Sequence, residues 1–149
     1  MNDILKISRY CKKNNLNFYL SNNIKLSLKL GLNGVYIPSF NKKINYTQGF
    51  SLPKNFKIIG SAHNKNEINL KIKQKCTEIF LSPVFKVKKS KSFLGVCKFN
   101  LISLSYKVDL IALGGINEKN FNQSKMLNSK GIASISWAKK NGLSSLRPF

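Results

Sequence analysis

The sequence predicts an α/β fold: six βα units whose strands form one parallel sheet. Three observations carry this reading. Short apolar runs alternate with segments whose apolar residues recur at helical spacing, the pattern of a parallel sheet with right-handed crossovers. The runs end on turn or small polar residues, as at Ser21, Pro38, Gly60, Ser82-Pro83 and Gly114-Gly115. Two late runs, Leu110 to Leu113 and Ile132 to Ser136, each close on groups that leave bare backbone N–H donors at neighbouring strand ends. In a parallel α/β barrel the loops after the last two strands hold a phosphate in this way.

The elements follow in order. Asp3 to Asn14 carries Ile4, Ile7, Ser8 and Cys11 at helical spacing and predicts a helix. Phe18-Tyr19-Leu20 is a short strand between Asn17 and Ser21-Asn22-Asn23. The dense apolar segment Ile24 to Leu32, with Gly31 as a stop, is a second helix. Gly34-Val35-Tyr36-Ile37 is a strand closed by Pro38, and a polar stretch runs on to Pro53. Phe56 to Gly60 is a strand, Glu67 to Lys75 a helix, and Thr77 to Leu81 a strand stopped by Ser82-Pro83. A lysine-rich loop leads to a helix within Leu94 to Leu104, then a strand over Val108 to Leu113. A helix over Lys119 to Ser129 and a strand over Ile132 to Ser136 complete the pattern. The whole of 1–149 reads as one domain, with 139–149 as a loosely ordered tail containing Gly142 and Pro148.

Composition narrows the function classes. The apolar share of 42% is that of a globular chain. No run approaches the length of a membrane span, and the N-terminus has no continuous apolar segment of the secretory kind. Cys11, Cys76 and Cys97 are isolated, without a C-x-x-C pair, which points to reduced thiols and a cytoplasmic location. The net charge of +21 suits phosphorylated metabolites or nucleic acid as partners. Arginine is scarce beside abundant lysine, asparagine and isoleucine, a bias that A/T-rich codons also produce. No nucleic-acid-binding motif accompanies the charge, so small anions are the expected partners.

Four groups of residues bear chemistry. Gly114 and Gly115, with Ile135 and Ser136, would cradle a phosphate; the structural alternative is a plain strand-to-helix turn that needs positive φ. Ser61 either meets a ligand or caps the following helix. His63, the chain's one histidine, follows a strand end on the face where barrel chemistry occurs, as a proton carrier or as a solvated loop residue. Lys86, Lys88, Lys89 and Lys91, beside Phe85 and Phe93, form the densest basic loop and suit a diphosphate clamp, a solvated loop, or a base-stacking patch.

In order and spacing, six segments resemble the thiamine phosphate synthase family, which also contains thiazole tautomerases. They are Gly31 to Ile37, Ile58 to His63, Ser82-Pro83-Val84-Phe85, Leu94-Gly95, Ala112 to Ile116 with Asn120, and Gly131 to Ser136. The resemblance implies a TIM-barrel-like (β/α) fold. It implies the joining of hydroxymethylpyrimidine diphosphate to thiazole phosphate with release of diphosphate, assisted by Mg2+. Gly114, Gly115, Ile135 and Ser136 would then hold the thiazole phosphate, Ser61 would meet the diphosphate and pyrimidine side, and His63 would serve proton transfer.

The chain begins at what resembles the family's second helix, so the reading lacks the first two strands. The family's magnesium positions fall at Asn22 and Asn41, and its Thr-x-Thr-Lys reads Val87-Lys88-Lys89-Ser90. Magnesium prefers anionic oxygen, for which two amides are poor substitutes. Lys86, Lys88, Lys89 and Ser90 would share the diphosphate. The alternatives are a tautomerase-like enzyme using His63 without a metal, or a non-catalytic phosphate-ligand binder. With two strands missing, the sheet has edges at Phe18 to Ser21 and at Ile132 to Ser136, expected to be covered by closer strand packing, by a homodimer, or by the N-terminal helix.

Overall fold

The computed structural model describes residues 2–88, 90 and 92–141, and the backbone alone of 139–141. Its elements are α1 (Asn2–Lys13), β1 (Tyr19–Ser21), α2 (Ile24–Lys29), β2 (Gly34–Ile37), β3 (Lys57–Ala62), α3 (Lys65–Lys73), β4 (Glu78–Leu81), α4 (Gly95–Ser103), β5 (Asp109–Leu113), α5 (Phe121–Ser124), β6 (Gly131–Ala133) and α6 (Ser136–Asn141). A short 3-10 helix, Glu118–Asn120, leads into α5.

The six strands lie in one sheet in sequential order, β1 to β6, and every neighbouring pair is parallel. All loops that leave the strands' C-terminal ends therefore meet on one face. The central strands are apolar on both sides because helices cover one face and strand side chains fill the other. Val35, Ile37, Ile79, Leu81 and Ala112 are fully buried, with Ile68 of α3 and Phe99 of α4 packed in the same core.

Several boundaries differ from expectation, β3 among them, which runs on to Ala62, and three departures need a closer account. The predicted helix over Lys119 to Ser129 breaks up: α5 stops at Ser124, and Asn100 of α4 binds the following turn through Met126 O and Asn128 N. The side chain of Asn128 in turn donates to Ser103 Oγ. These bonds offer the backbone a better arrangement than further helix turns. The last strand ends at Ala133 rather than Ser136, because Ser134 Oγ turns to bond Ile116 O and α6 starts at Ser136. The expected loose tail is corrected at its start, where Lys139 to Asn141 continue α6; residues 142–149 lie outside the described residues.

Closer strand packing does not close the sheet. β1 and β6 stay at its two edges and do not pair with each other. Of the residues of α1, Ser8 is buried, while Ile7 and Tyr10 are exposed.

Candidate functional site

The C-terminal face carries most of the candidate residues. At its β5 corner the chain turns through Gly114 at φ +94° and Gly115 at φ +75°, both in the region that side chains other than glycine rarely adopt. Space forbids a side chain as firmly as torsion does. A Cβ on Gly114 would stand 2.9 Å from Pro83 Cα, and one on Gly115 would stand 2.6 Å from Phe85 O. The loop after β4 packs there because Val84 N and Phe85 N donate to Leu113 O and Gly114 O, at 2.9 and 3.0 Å.

Two asparagines finish the turn. Asn117 Nδ2 and Asn120 Nδ2 both donate to Gly115 O, at 3.0 and 2.8 Å, while Asn120 Oδ1 accepts from Asn117 N. The Gly114 and Gly115 N–H groups donate to no acceptor among the described residues. Ile135 and Ser136 follow β6 and are exposed, between the strand end and the first turn of α6.

His63 joins this corner to β3. Its Nδ1 lies 2.8 Å from Ser82 O and 3.3 Å from Ser82 Oγ. A carbonyl oxygen only accepts, so Nδ1 carries a proton, and Nε2 is the ring nitrogen left to exchange one. Its backbone N donates to Glu67 Oε2, which closes the first turn of α3 behind Asn64, the N-cap. A cavity of about 330 Å³ opens beside His63, lined also by Asn64, Lys65, Leu94, Lys98 and Ile102.

Ser61 lies within β3, one residue before its end. It is buried, and its Oγ accepts from Tyr36 Oη at 2.8 Å and from Ser39 N at 3.0 Å. It fastens the loop after β2, and it does not cap α3. Of the lysine loop, Lys86 and Lys88 are exposed at the rim, Ser90 Oγ donates to Ser92 O, and Lys89 and Lys91 lie outside the described residues. Glu78 and Asp109 open β4 and β5 at the far end of the sheet. There Glu78 pairs with Lys57, the first residue of β3, whose pKa it raises through that hydrogen bond.

With this geometry in place, comparison with known proteins decides the family. A family model described as thiamine monophosphate synthase matches residues 1–138. The chain belongs to that family. It is 30% identical over 139 residues to the thiamine-phosphate synthase of Prochlorococcus marinus subsp. pastoris, and 29% identical over 133 residues to that of Prochlorococcus marinus strain SARG. These matches take in 91% and 87% of this chain but 39% and 38% of the relatives, so the chain spans about two fifths of their length. The fold matches a thiamine phosphate pyrophosphorylase from Pyrococcus furiosus with a TM-score of 0.71, at 18% identity, over 90% of this chain and 66% of that one. The architecture is accordingly a TIM-barrel-like α/β fold of six parallel strands. No described helix is long and apolar enough to cross a membrane.

The thiamine monophosphate synthase family resemblance places magnesium near Asn22 and Asn41, and the structure brings these two residues together. Asn41 Nδ2 donates to Asn22 Oδ1, and Asn41 Oδ1 accepts from Lys43 N at 2.9 Å. Both amide oxygens are thus engaged, neither residue is anionic, and no cluster of three or more His, Cys, Asp or Glu stands among the described residues. This donor set does not fit magnesium, which takes hard, preferably charged oxygen.

Sequence reasoning missed two residues of this corner, Lys71 and Gln74 of the α3 segment. Both are fully buried and bond the loop that carries Asn41. Lys71 stands three positions after the buried Ile68, a helical spacing that puts both on one face, and that was the available signal.

Proposed function

We propose that this chain forms the thiazole-phosphate side of a thiamine-phosphate synthase site. The observation that carries the proposal is the Gly114–Gly115 turn, where two backbone N–H donors stand unused in a loop that packing bars to any side chain. Backbone amides favour the phosphate's charge without the entropy cost of ordering long side chains. Ile135 and Ser136 would add donors from the neighbouring strand end.

In the reaction so proposed, the thiazole ring nitrogen bonds to the methylene carbon of the pyrimidine substrate. The carbon–oxygen bond to diphosphate breaks, and diphosphate leaves with the electron pair. The chain's share is positioning and charge: Lys86 and Lys88 at the rim, with Lys89 of the same segment, neutralise the departing diphosphate, Ser90 offers it a hydroxyl, and the phosphate cradle holds the nucleophile in line.

A second reading, favoured by the His63 geometry, keeps the same cradle for a thiazole tautomerisation. With Nδ1–H pinned to Ser82 O, Nε2 takes a proton from one ring position and returns it at another.

Ligand-induced melting shifts test the shared cradle, and product analysis separates the two readings. Thiazole phosphate should raise the melting temperature of the full chain, and dephosphorylated thiazole should not; equal effects would remove the phosphate cradle. Thiamine phosphate formed from both substrates supports the synthase. Isomerisation of the thiazole alone, lost in His63→Gln, supports the tautomerase.

A further inference from the structure

Lys71 is a charged residue in the core. Its side chain is fully buried between α3 and β3, and no carboxylate bonds it among the described residues. A buried ammonium costs several kcal/mol unless its donors are satisfied. Here each of the three donors has an acceptor: Pro38 O at 2.7 Å, Asn41 O at 2.9 Å and Gln74 Oε1 at 2.8 Å. Three acceptors match an ammonium and not a neutral amine, which would turn a lone pair toward one of them. Burial pulls the Lys71 pKa down, and the nearby Cys76 and Glu67 push against that pull. The stem reaches this place across Gly60, where a Cβ would come 2.9 Å from Lys71 Cδ.

What the ammonium holds is the loop after β2. Gln74 Nε2 joins it, donating to Asn41 O and Lys43 O, each at 3.0 Å. Ser61 Oγ accepts from Ser39 N on the same loop. The side chain of Asn41, set by these bonds, reaches over to Asn22 in the loop after β1. A cation with two carboxylates would tie the same two loops together from the solvent side. Here an amide pair makes the tie and the positive charge sits behind it.

We propose that Lys71 is a positioning residue that replaces a divalent cation at this corner: its buried ammonium gathers Pro38 O, Asn41 O and Gln74 Oε1, and through Asn41 sets the Asn22–Asn41 pair at the mouth without a metal. The ligand that meets this pair, the pyrimidine diphosphate, rests on the synthase reading above. The ordering of the loop does not.

Hydrogen exchange on the full chain tests the loop directly, at the amides of Ser39, Asn41 and Lys43. In the wild type, MgCl2 should leave their rates as they are in NaCl of equal ionic strength. Protection by magnesium would overturn the proposal. In Lys71→Met these amides should exchange about tenfold faster or more while those of β4 and β5 keep their rates. An unchanged loop would overturn it. If Lys71→Met does not fold, Gln74→Leu should give the same local acceleration, and its absence counts equally against the idea.

Steady-state kinetics supply the readout that a purely structural lysine would not move. Folded Lys71→Met should show a raised KM for the pyrimidine diphosphate with an unchanged KM for thiazole phosphate. Equal KM values for the diphosphate in wild type and variant would overturn the positioning role. A wild type that orders its loop as described but turns over neither substrate would remove the synthase reading and leave the loop assignment supported.

Discussion

The two rims of the mouth are built from different materials. At the β5–β6 rim, Gly114 and Gly115 offer only backbone, and the side chains nearby, Asn117 and Asn120, serve to hold Gly115 O in place. At the β1–β2 rim side chains do the holding: Ser61 and Lys71 with Gln74 hold the backbone of Ser39 and Asn41, and the Asn41 side chain holds that of Asn22. A phosphate of constant size and charge can be met by peptide N–H groups, whose geometry changes little when surrounding residues drift. A rim built from side chains can exchange one charge arrangement for another on the same strands.

This contrast is most exposed at Gly115. Gly115→Val forces a side chain into positive φ and onto Phe85 O, so it should cost about 3 kcal/mol in urea unfolding and abolish stabilisation by thiazole phosphate. A loss below about 1 kcal/mol would show that the backbone rim is softer than drawn.

A smaller effect is expected across the mouth. Asn41→Ala removes the bond to Asn22 and the one from Lys43 N while leaving Asn41 O to Lys71, and should cost about 1–2 kcal/mol. The melting-temperature rise with thiazole phosphate should stay as in the wild type. A diminished rise would mean that the two rims are not independent.

The mildest perturbation is alkaline pH, through Cys76 beneath the β2 rim. Burial pushes its thiol from the usual 9.0 up to about 12, with the Lys71 charge pulling the other way. The unfolded chain therefore releases this proton first. Its contribution to stability is complete below pH 9.0 and is lost progressively as pH rises toward about 12. Cys76→Ala should lose stability less steeply than the wild type over that range in urea titrations. Parallel curves would place the thiol in a wetter setting.

Much of the site was legible in residue types. Gly114-Gly115 after an apolar run announces a turn that side chains cannot make, and His63 after Gly60-Ser61-Ala62 stands at a strand end. Other assignments were hidden because they depend on partners far along the chain. The partners of Ser61 Oγ, Tyr36 and Ser39, stand 25 and 22 positions earlier, where no local pattern points to them. Lys71 reads as one more surface lysine in a segment full of them, and its acceptors come from 30 and 33 positions away. The helix expected to run to Ser129 met competition from Asn100, which no local propensity registers.

By itself the sequence determined the strands, their parallel order and the turns at their ends, because apolar periodicity and glycine's torsional freedom are properties of short stretches of chain. Only the tertiary structure decided where the charge goes. Of the many lysines, it is the fold that leaves Lys86 and Lys88 in solvent and encloses Lys71 among carbonyls, since the stability of a charge depends on its solvation and its acceptors rather than on its neighbours in sequence.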